Sequence, residues 1–529
     1  ALLSTAMAAY AGKPNFIFLL ADDWGWGDVG FNDRHTAHTP HLDRLSGTGV
    51  IFTDFHTASP VCSPSRAGFM TGRDPARLHI HTALNVDWDA NAAEGQANFL
   101  DPTVPTITSL LHDAGWRVGH FGKWHLGSGA SPRNKSMAAP LPTSYGIDAS
   151  CTFNSNDACQ ADGKTGNTSV DILDRGMGFI RAAVRAGDPF YVNIWLHVSH
   201  NKLDPTAAQK AAVKPGHGAC KTRSLATNQT VCAQEIFVAA QQDADAQVGR
   251  LVALLGELDL HESTMLLFST DNGPEDQAVY SNAQGSAGPF RGRKRSLYEG
   301  GTRVPSFCVW GGGTPKPTIP RGAVDHTPIS ATDWLPTVAV IAGVELPAGL
   351  VLDGEDMSAV FLRQAAGQRD PSARQKRLFW EWRYAVSGSC DNSAPHLAVR
   401  DGDWKYLVNA DGSRAELYRL DVYNRSVTSP DFHENTNLLH LFPQKAATLA
   451  EALATWHAAL PPIGPQGWGK NLGCEGFSSA DMRPTVYGST LRSGVAATGE
   501  VDGPEVVQDS DPDWWFDSVT GEIVRIPNS

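Results

Sequence analysis

Short apolar runs alternate along the chain with longer segments whose apolar residues recur at helical spacing. The informative runs are NFIFLLADD (15–23), RVGHFGKWHLG (117–127), FYVNIWLHVSH (190–200) and TMLLFSTDNG (264–273). Helices are predicted between such runs, for example at 103–116 and 234–260. Strands that are apolar throughout and separated by helices are typical of an α/β protein, with a large, mostly parallel central sheet flanked by helices.

Each of the four runs exchanges apolar for polar side chains at its carboxyl end. The polar residues there are Asp22, Asp23, Lys123, His125, His200, Asp271 and Asn272. Ligands bind beyond the carboxyl ends of the strands in open α/β sheets. We therefore expect these side chains to line one shared site. A single Asp after a strand is equally well explained by a turn or a helix N-cap, but two adjacent pairs favour a functional site.

The chemistry of these residues suggests a metal. The residues after the first and last run offer only oxygen ligands, so a bound metal would be a hard cation, Ca²⁺ or Mg²⁺. Lys123 is also compatible with a solvated surface charge, and His125 and His200 with satisfied polar groups at strand ends. His200 is the least specific of the three, because His197 lies one alternation away on the same strand.

The regular alternation fades in a polar, Ala-rich stretch at 363–377, which predicts a linker. Three segments beyond it, at 377–386, 396–408 and 415–423, predict antiparallel strands. We therefore expect a catalytic domain over 14–362 and a smaller C-terminal α+β domain with an antiparallel sheet over 378–460. A Gly/Pro/Trp-rich extension of unclear role follows over 461–529.

Charge limits the possible partners. The chain has 56 acidic and 43 basic residues and a formal net charge of −13. This balance argues against nucleic acid or an anionic membrane as a general partner, and no apolar run is long enough to span a bilayer. An anionic substrate therefore needs a local basic pocket. The run FRGRKRSLYEGGTR (290–303), which includes Lys294, favours an anion-binding loop, although most charge runs are solvated faces.

Eight cysteines occur in the chain. The pairs Cys151/Cys159 and Cys220/Cys232 each bracket a short polar loop, as expected of local disulfides in an oxidising compartment. If Cys390 pairs with Cys474, then Cys62 and Cys308 remain. Cys308 lies in the apolar run PSFCVW and is predicted to be a buried free thiol.

Further features bear on location. Residues 1–10 are small and apolar and contain an A-x-A-like tripeptide, which fits the tail of a signal peptide or, equally, a frayed terminus. N-x-S/T sequons stand at Asn134, Asn167, Asn228 and Asn424. Together with the cysteines, these features predict a secreted or lumenal protein of the secretory pathway, lysosome or periplasm.

Cys62 has neighbours that a structural thiol does not need. It lies in SPVCSPSRAGFMTGR (59–73), at the start of a predicted helix. The CSPSR segment resembles the C-x-P-S-R signature of the type I sulfatases, in the alkaline phosphatase superfamily. Other segments resemble family blocks in the family's order: ADDWGWGDVG, GKWHLG, TDNGPE, LYEGGTRVP and ELYRLD. The resemblance covers roughly 14–438 and looks closest to the arylsulfatase A and N-acetylgalactosamine-6-sulfatase branch.

The resemblance implies roles for individual residues. In the family the cysteine is oxidised to formylglycine by a formylglycine-generating enzyme during maturation. The implied ligands of one divalent metal, usually Ca²⁺, are Asp22, Asp23, Asp271, Asn272 and the modified Cys62. The other implied catalytic residues are Arg66, which holds the hydrated aldehyde, Lys123 and Lys294, which hold sulfate oxygens, His125, which hydrogen-bonds the hydrate, and His200, which faces the leaving oxygen.

One departure concerns His200. Family members usually continue this histidine as H-x-P, whereas the sequence here reads HNKLDP. Lys202 could therefore take the position in the pocket instead.

The implied reaction is hydrolysis of a sulfate ester. One hydroxyl of the formylglycine hydrate attacks sulfur and expels the alcohol, which leaves a covalent sulfo-enzyme. The second hydroxyl then loses its proton, to His125, and the C–O bond to the sulfate breaks, so that sulfate is released and the aldehyde is restored. The implied substrate is a sulfated small molecule or glycan. Two alternatives remain: a phosphonate or phosphate ester hydrolase of the same superfamily, and a catalytically silent protein that binds sulfated glycans.

Overall fold

A computed structural model describes residues 12–32, 37–134, 136–159, 168–200, 203–213, 222–223, 230–231, 233–276, 283–310, 322–362, 374–384, 392–420, 433–461, 514–516 and 523–525. The chain divides into two compact units, Ala1–Met482 and Arg483–Ser529. The first unit contains both larger sheets. The proposed division between 362 and 378 stays a prediction.

The central sheet has nine strands. They are β1 (Asn15–Ala21), β2 (Val50–His56), β3 (Arg117–Lys123), β4 (Ala149–Phe153), β5 (Phe190–Trp195), β8 (Thr264–Thr270), β9 (Arg303–Trp310), β10 (Ala323–Asp325) and β11 (Ile329–Ser330); the two-stranded hairpin of β6 (Thr222–Arg223) and β7 (Thr230–Val231) lies outside it. The order is β10-β2-β9-β8-β1-β5-β3-β4, with β11 beside β2. Within it β9 pairs antiparallel with both its neighbours and the other pairings are parallel. The predicted mostly parallel sheet is confirmed.

Both faces of this sheet are buried, which explains why its strands are apolar throughout. In β1, Phe16 and Phe18 pack into a core on one face and Ile17 and Leu19 into a core on the other. Successive side chains of a strand point to opposite faces. The strands therefore cannot show the apolar–polar alternation of a sheet with one wet face.

Helices cover the two faces of this sheet, and the last of the described helices packs instead on the second sheet. They are α1 (Pro40–Ser46), α2 (Cys62–Thr71), α3 (Trp88–Ala93), α4 (Ile107–Asp113), α5 (Thr168–Ala186), α6 (Ala207–Ala211), α7 (Ala233–Glu257), α8 (Glu299–Thr302), α9 (Trp334–Ala342), α10 (Ser358–Phe361) and α11 (Pro443–Ala458). The two predicted helices correspond to α4 and α7. In the part of the chain that is described, no helix is both long and apolar enough to cross a membrane.

The second sheet is antiparallel, as predicted. It consists of β12 (Leu378–Glu381), β13 (Leu397–Asp401), β14 (Trp404–Val408) and β15 (Glu416–Arg419), in that order. One face packs on α11, and the other packs against Val61, Cys62, Leu297 and Tyr298 of the first part of the chain. This second contact places the sheet directly over Cys62. The separate strands β16 (Trp514–Phe516) and β17 (Ile523–Arg525) form an antiparallel pair in the second unit.

The cysteine predictions are confirmed where the structure describes them. Cys151 and Cys159 form a disulfide, and Cys62 and Cys308 are free and buried. Cys220, Cys232, Cys390 and Cys474 lie outside the described residues. Of the four sequons, Asn134 is exposed, and Asn167, Asn228 and Asn424 lie outside the described residues.

Candidate active site

The polar residues after β1 and β8 meet, because the two strands are adjacent and parallel. Asp22, Asp23 and Asp271 each place a carboxylate oxygen within 4.8 Å of the others. The backbone N–H of Asp23 donates to Asp271 Oδ1 at 3.2 Å, and Asn272 Nδ2 donates to Asp23 Oδ1 at 2.7 Å. All four side chains are buried. The structure thus brings together the four predicted oxygen donors.

Several side-chain oxygens in this cluster lack a hydrogen-bond partner. Asp22 Oδ1, Asp23 Oδ2 and Asn272 Oδ1 are buried and have no hydrogen-bond partner among the described residues. A buried polar atom without a partner carries a large desolvation cost. Three such oxygens, on residues linked within one carboxylate cluster, form a donor set that suits a hard cation. The residues present therefore fit a metal such as Ca²⁺.

Three cations face the carboxylates. Arg66 donates to Asp271 Oδ2 from Nε at 3.0 Å and Nη2 at 2.6 Å, and to the carbonyl of Lys123 at 2.8 Å. Lys123 Nζ lies 2.5 Å from Asp22 Oδ2, and Lys294 Nζ lies 2.5 Å from Asp23 Oδ1. Burial and Asp22 raise the pKa of Asp271 to about 6. Burial opposes ionisation of Asp22 as well, but Lys123 holds the pKa of that carboxyl well below its usual range.

Cys62 is the first residue of α2, as predicted. Its side chain is 2% exposed and packs with Tyr298 and Trp382 in a cluster that includes the antiparallel sheet. Burial raises the pKa of the thiol, although Lys123 and Lys294 oppose this shift. The residue lies where the N–H groups of a helix start favour negative charge, yet the thiol itself stays protonated.

The histidines lie beside Lys123. His125 has a left-handed backbone (φ 56°), and its Nδ1 is buried without a partner among the described residues. The ring of His200 stacks on that of His197 at 5.0 Å, and His197 Nδ1 lies 3.4 Å from Asp22 Oδ2. Burial and Lys123 lower the pKa of His200 to about 3. His200 is thus connected to Asp22 through His197, burial and Lys123 lower the pKa of His125, and Lys202 lies outside the described residues.

The basic run contributes only one side chain to the carboxylate cluster. Lys294 enters it, whereas Arg291 stacks on Tyr298 at 3.9 Å and donates to the carbonyl of Glu434. Arg293 donates to the carbonyls of Glu275 and Gly285. Within the predicted anion-binding loop, Lys294 is therefore the side chain that remains a candidate for binding an anion at this site.

Two neighbours were not predicted. Glu275 is buried, lies 3.6 Å from Lys294 Nζ and pairs with Arg295. Its position directly after TDNGP was a sequence signal for proximity to Asp271. The second neighbour is Trp382, which packs in the same buried cluster as Cys62. Nothing in the sequence indicated this position, because it depends on which face of the second sheet packs inward.

Comparisons with known proteins agree with this geometry. The sulfatase family model matches residues 14–344. Arylsulfatase G of Rattus norvegicus is 30% identical, over 68% of this chain and 71% of the relative. N-acetylgalactosamine-6-sulfatase of Canis lupus familiaris is 30% identical, over 68% and 69%. The crystal structure of Ps i-CgsB has the same fold, with a TM-score of 0.65 at 22% identity, covering 84% of this chain and 93% of that one.

A mostly parallel sheet with a polar cluster at the carboxyl ends of its strands places the molecule among the α/β proteins of the alkaline-phosphatase-like fold. The chain belongs to the sulfatase family, and it is an enzyme that hydrolyses sulfate esters.

Proposed function

We propose that the enzyme removes sulfate from a sulfated carbohydrate by means of formylglycine formed from Cys62, with one Ca²⁺ held by Asp22, Asp23, Asp271 and Asn272. The observation that carries the proposal is the set of three unpartnered buried oxygens in the same cluster as Lys123 and Lys294. Both lysines also lower the pKa of the Cys62 thiol, against the larger effect of burial. The unpartnered oxygens suit a bound cation, and the two lysines suit an anionic group such as a sulfate ester.

The metal and the modified cysteine have distinct contributions. A bound cation stabilises negative charge on the nucleophile and on the sulfate oxygens. Formylglycine supplies, once hydrated, a hydroxyl nucleophile and a second hydroxyl that permits release of sulfate. The thiol is a poor candidate for the nucleophile, because burial raises its pKa and keeps it neutral.

The chain's own residues position the groups. Arg66 ties Asp271 to the carbonyl of Lys123 and thus joins β8 to β3 across the site. Lys123 and Lys294 would hold the sulfate oxygens, since each is a buried ammonium that already faces a carboxylate. Arg66 would orient the hydrate and His125 would accept its proton.

His200 is assigned to the leaving oxygen. The pKa of His200 near 3 describes a neutral imidazole beside two lysines. A bound sulfate ester brings negative charge to the same place and favours the protonated ring, which can then donate to the departing alcohol. His197 is the competing candidate, but it lies next to Asp22 Oδ2.

A carbohydrate substrate is supported by one relative, whose name states that it acts on 6-sulfated N-acetylgalactosamine. A secreted or lumenal location is supported by the Cys151–Cys159 disulfide, since disulfides persist in oxidising compartments. Among the alternatives, phosphonate hydrolysis is the weaker, because the family match and the curated relatives are sulfatases.

Mass spectrometry of residue 62 tests the nucleophile. Protein made in a host with the formylglycine-generating enzyme should carry an aldehyde in the peptide containing VCSPSR, with a mass below that of the thiol form. Cys308 is the internal control, because it is also free and buried but lies in β9, and its peptide should keep the thiol. A fully active enzyme with an unmodified Cys62 would overturn the proposal.

A substrate panel tests the reaction. Nitrophenyl sulfate, monosaccharide sulfates including N-acetylgalactosamine 6-sulfate, nitrophenyl phosphate and a phenyl phosphonate are compared at equal concentration. Faster turnover of the phosphonate would favour the phosphonate hydrolase. No turnover by protein whose residue 62 is fully converted would favour the silent binding protein.

A further inference from the structure

A second buried charge cluster lies where the antiparallel sheet meets the first part of the chain. We call it the Glu299 cluster. It consists of Asp54, Glu299, Arg303, Arg400, Lys405 and Glu434, each at most 5% exposed. The cluster holds three acids and three bases, so its formal charges cancel. Burying so many charges is costly unless each is paired.

The pairs in this cluster converge on Glu299, the first residue of α8. Lys405 Nζ, from β14, lies 2.9 Å from Glu299 Oε1 and 2.9 Å from Glu434 Oε1. The backbone N–H of Glu299 donates to Glu434 Oε2 at 2.6 Å. Arg303 and Arg400 approach Glu299 Oε2 at 3.3 and 3.5 Å. Lys405 is therefore the cation shared by Glu299, which begins α8, and Glu434, which accepts a hydrogen bond from the backbone N–H of Glu299.

The far side of α8 touches the active site. The N–H of Gly273, which directly follows Asn272, donates to the carbonyl of Gly301 at 3.0 Å. The packing is so close that a Cβ at Gly273 would lie 1.9 Å from the carbonyl oxygen of Gly300. Any shift of α8 must therefore move the loop that carries Asp271 and Asn272.

The same helix also holds the loop of Lys294. The N–H of Gly300 donates to the carbonyl of Arg291 at 2.7 Å, and the N–H of Lys294 donates to the carbonyl of Pro274 at 3.0 Å. The loop at 271–276, the loop at 290–298 and α8 thus brace one another through backbone hydrogen bonds.

We propose that Lys405 is a positioning residue: by neutralising Glu299 and Glu434 it fixes α8, and through α8 the loops that bear Asn272 and Lys294. The second sheet is accordingly part of the active-site scaffold. Without Lys405 the two acids lose both their shared counter-charge and the contact that holds them together at the start of α8, so α8 becomes free to move even if Glu434 takes up a proton. The turnover arm of the test rests on the proposed function; the hydrogen-exchange arm does not.

The test compares Lys405→Met with Arg374→Met. Arg374 also forms an ion pair with a buried carboxylate, Asp333, but touches neither loop, so it controls for the general loss of a salt bridge. Amide hydrogen exchange is measured at 271–276 and 290–302, and kcat and KM are measured with nitrophenyl sulfate. We expect K405M to exchange faster in both segments and to lose kcat by about tenfold to a hundredfold, with KM nearly unchanged.

Two further variants complete the design. The double variant K405M/E434Q restores charge balance and should recover slow exchange and most of kcat. Glu299→Gln keeps the shape of the side chain and should give the K405M pattern at smaller amplitude, which decides the matter if K405M does not fold. Wild-type exchange in both segments, with wild-type kcat, in folded K405M or E299Q overturns the proposal. If the wild type itself lacks sulfatase activity, the proposed function fails and the exchange data still decide the role of Lys405.

Discussion

The active-site cluster and the Glu299 cluster have the same formal make-up. The first sets Asp22, Asp23 and Asp271 against Arg66, Lys123 and Lys294. The second sets three acids against three bases in the same way. Both are buried. Counting charges therefore does not tell a catalytic cluster from a structural one.

The active-site cluster and the Glu299 cluster differ in the partners of their side-chain oxygens. Every carboxylate oxygen of the Glu299 cluster has a cation or an N–H within 3.5 Å, as the pairs of Asp54 with Arg400 at 2.6 and 2.8 Å illustrate. Glu434 Oε1 makes no hydrogen bond among the described residues, but it lies 2.9 Å from the ammonium of Lys405. In the active site, one oxygen each of Asp22, Asp23 and Asn272 has no partner among the described residues. A structural cluster uses up its lone pairs, whereas a functional one keeps some for a ligand.

The largest expected effect comes from removing an acid on the functional side. Asp271→Asn keeps the shape of the side chain but removes a negative charge that both Arg66 and a bound cation need. We expect kcat/KM to fall by about 1,000-fold or more, while the fold survives. Activity is measured with nitrophenyl sulfate, and the fold by circular dichroism and thermal melting.

The matched variant for this comparison is Glu299→Gln. It removes one acid from the other cluster and should lower the melting temperature more than D271N does, with a smaller loss of turnover. If the two variants gave the same ratio of lost stability to lost activity, the distinction drawn from the unpartnered oxygens would be wrong.

The next effect concerns the basic run. Lys294→Ala removes a buried ammonium proposed to hold sulfate, a charge-assisted contact that corresponds to about a hundredfold in kcat/KM. Arg291→Ala is the control three residues away, because its side chain packs on Tyr298 outside the carboxylate cluster. It should lower the melting temperature and leave kcat/KM within a few-fold of wild type. Equal small effects on kcat/KM would mean that Lys294 is not a substrate ligand.

These two positions also show what the sequence could predict. The apolar strands and their polar ends predicted the parallel sheet and the meeting of Asp22 with Asp271, because parallel strands end at the same edge. The charge pattern alone could not separate Lys294 from Arg291, and only the resemblance to the sulfatase family singled out Lys294. Which side chain turns inward depends on backbone turns such as the left-handed conformation of Arg295 (φ 71°), and these follow from tertiary contacts.

The packing of the second sheet against Cys62 could not be predicted from the sequence for a similar reason. The antiparallel strands were predicted, but the face that carries Trp380 and Trp382 and its contact with Cys62 are set by packing between distant segments. The role of Lys405 depends on the same contact. Local patterns predicted the elements, and long-range packing determined how the second sheet completes the site.

A smaller and more selective effect is expected at His200. A nitrophenolate leaves without a proton, whereas a sugar alkoxide needs one, so general acid catalysis contributes about a hundredfold more for the sugar. His200→Ala should therefore slow a sugar sulfate about a hundredfold more than nitrophenyl sulfate. His197→Ala is the control, since its ring stacks on His200 and it contacts Asp22. If the selective loss appeared in H197A instead, His197 would be the acid.

The smallest expected effect is a pH dependence of the melting temperature that arises from Glu434 in the Glu299 cluster. Burial raises the pKa of Glu434 to about 7; nearby Lys405 lowers it and Glu299 raises it further. Glu299 itself is also buried, but Lys405 holds its pKa below the usual range. Glu434 is therefore the member of the pair that takes up a proton near neutral pH, and Glu299 stays ionised.

The sign of the dependence follows from this shift. The folded pKa of Glu434 lies above the ordinary value of 4.5, so the folded protein binds this proton more tightly than the unfolded chain does. The stabilisation is fully present below about pH 4.5 and is lost as the pH rises through about 7. Glu434→Gln removes this contribution, so the melting temperature of the variant should fall less than that of the wild type between pH 5 and pH 7.5, by on the order of 1–3 °C. An unchanged difference between the two melting temperatures would show that Glu434 is ionised throughout this range, and the Glu299 cluster would then be balanced at every pH at which the fold persists.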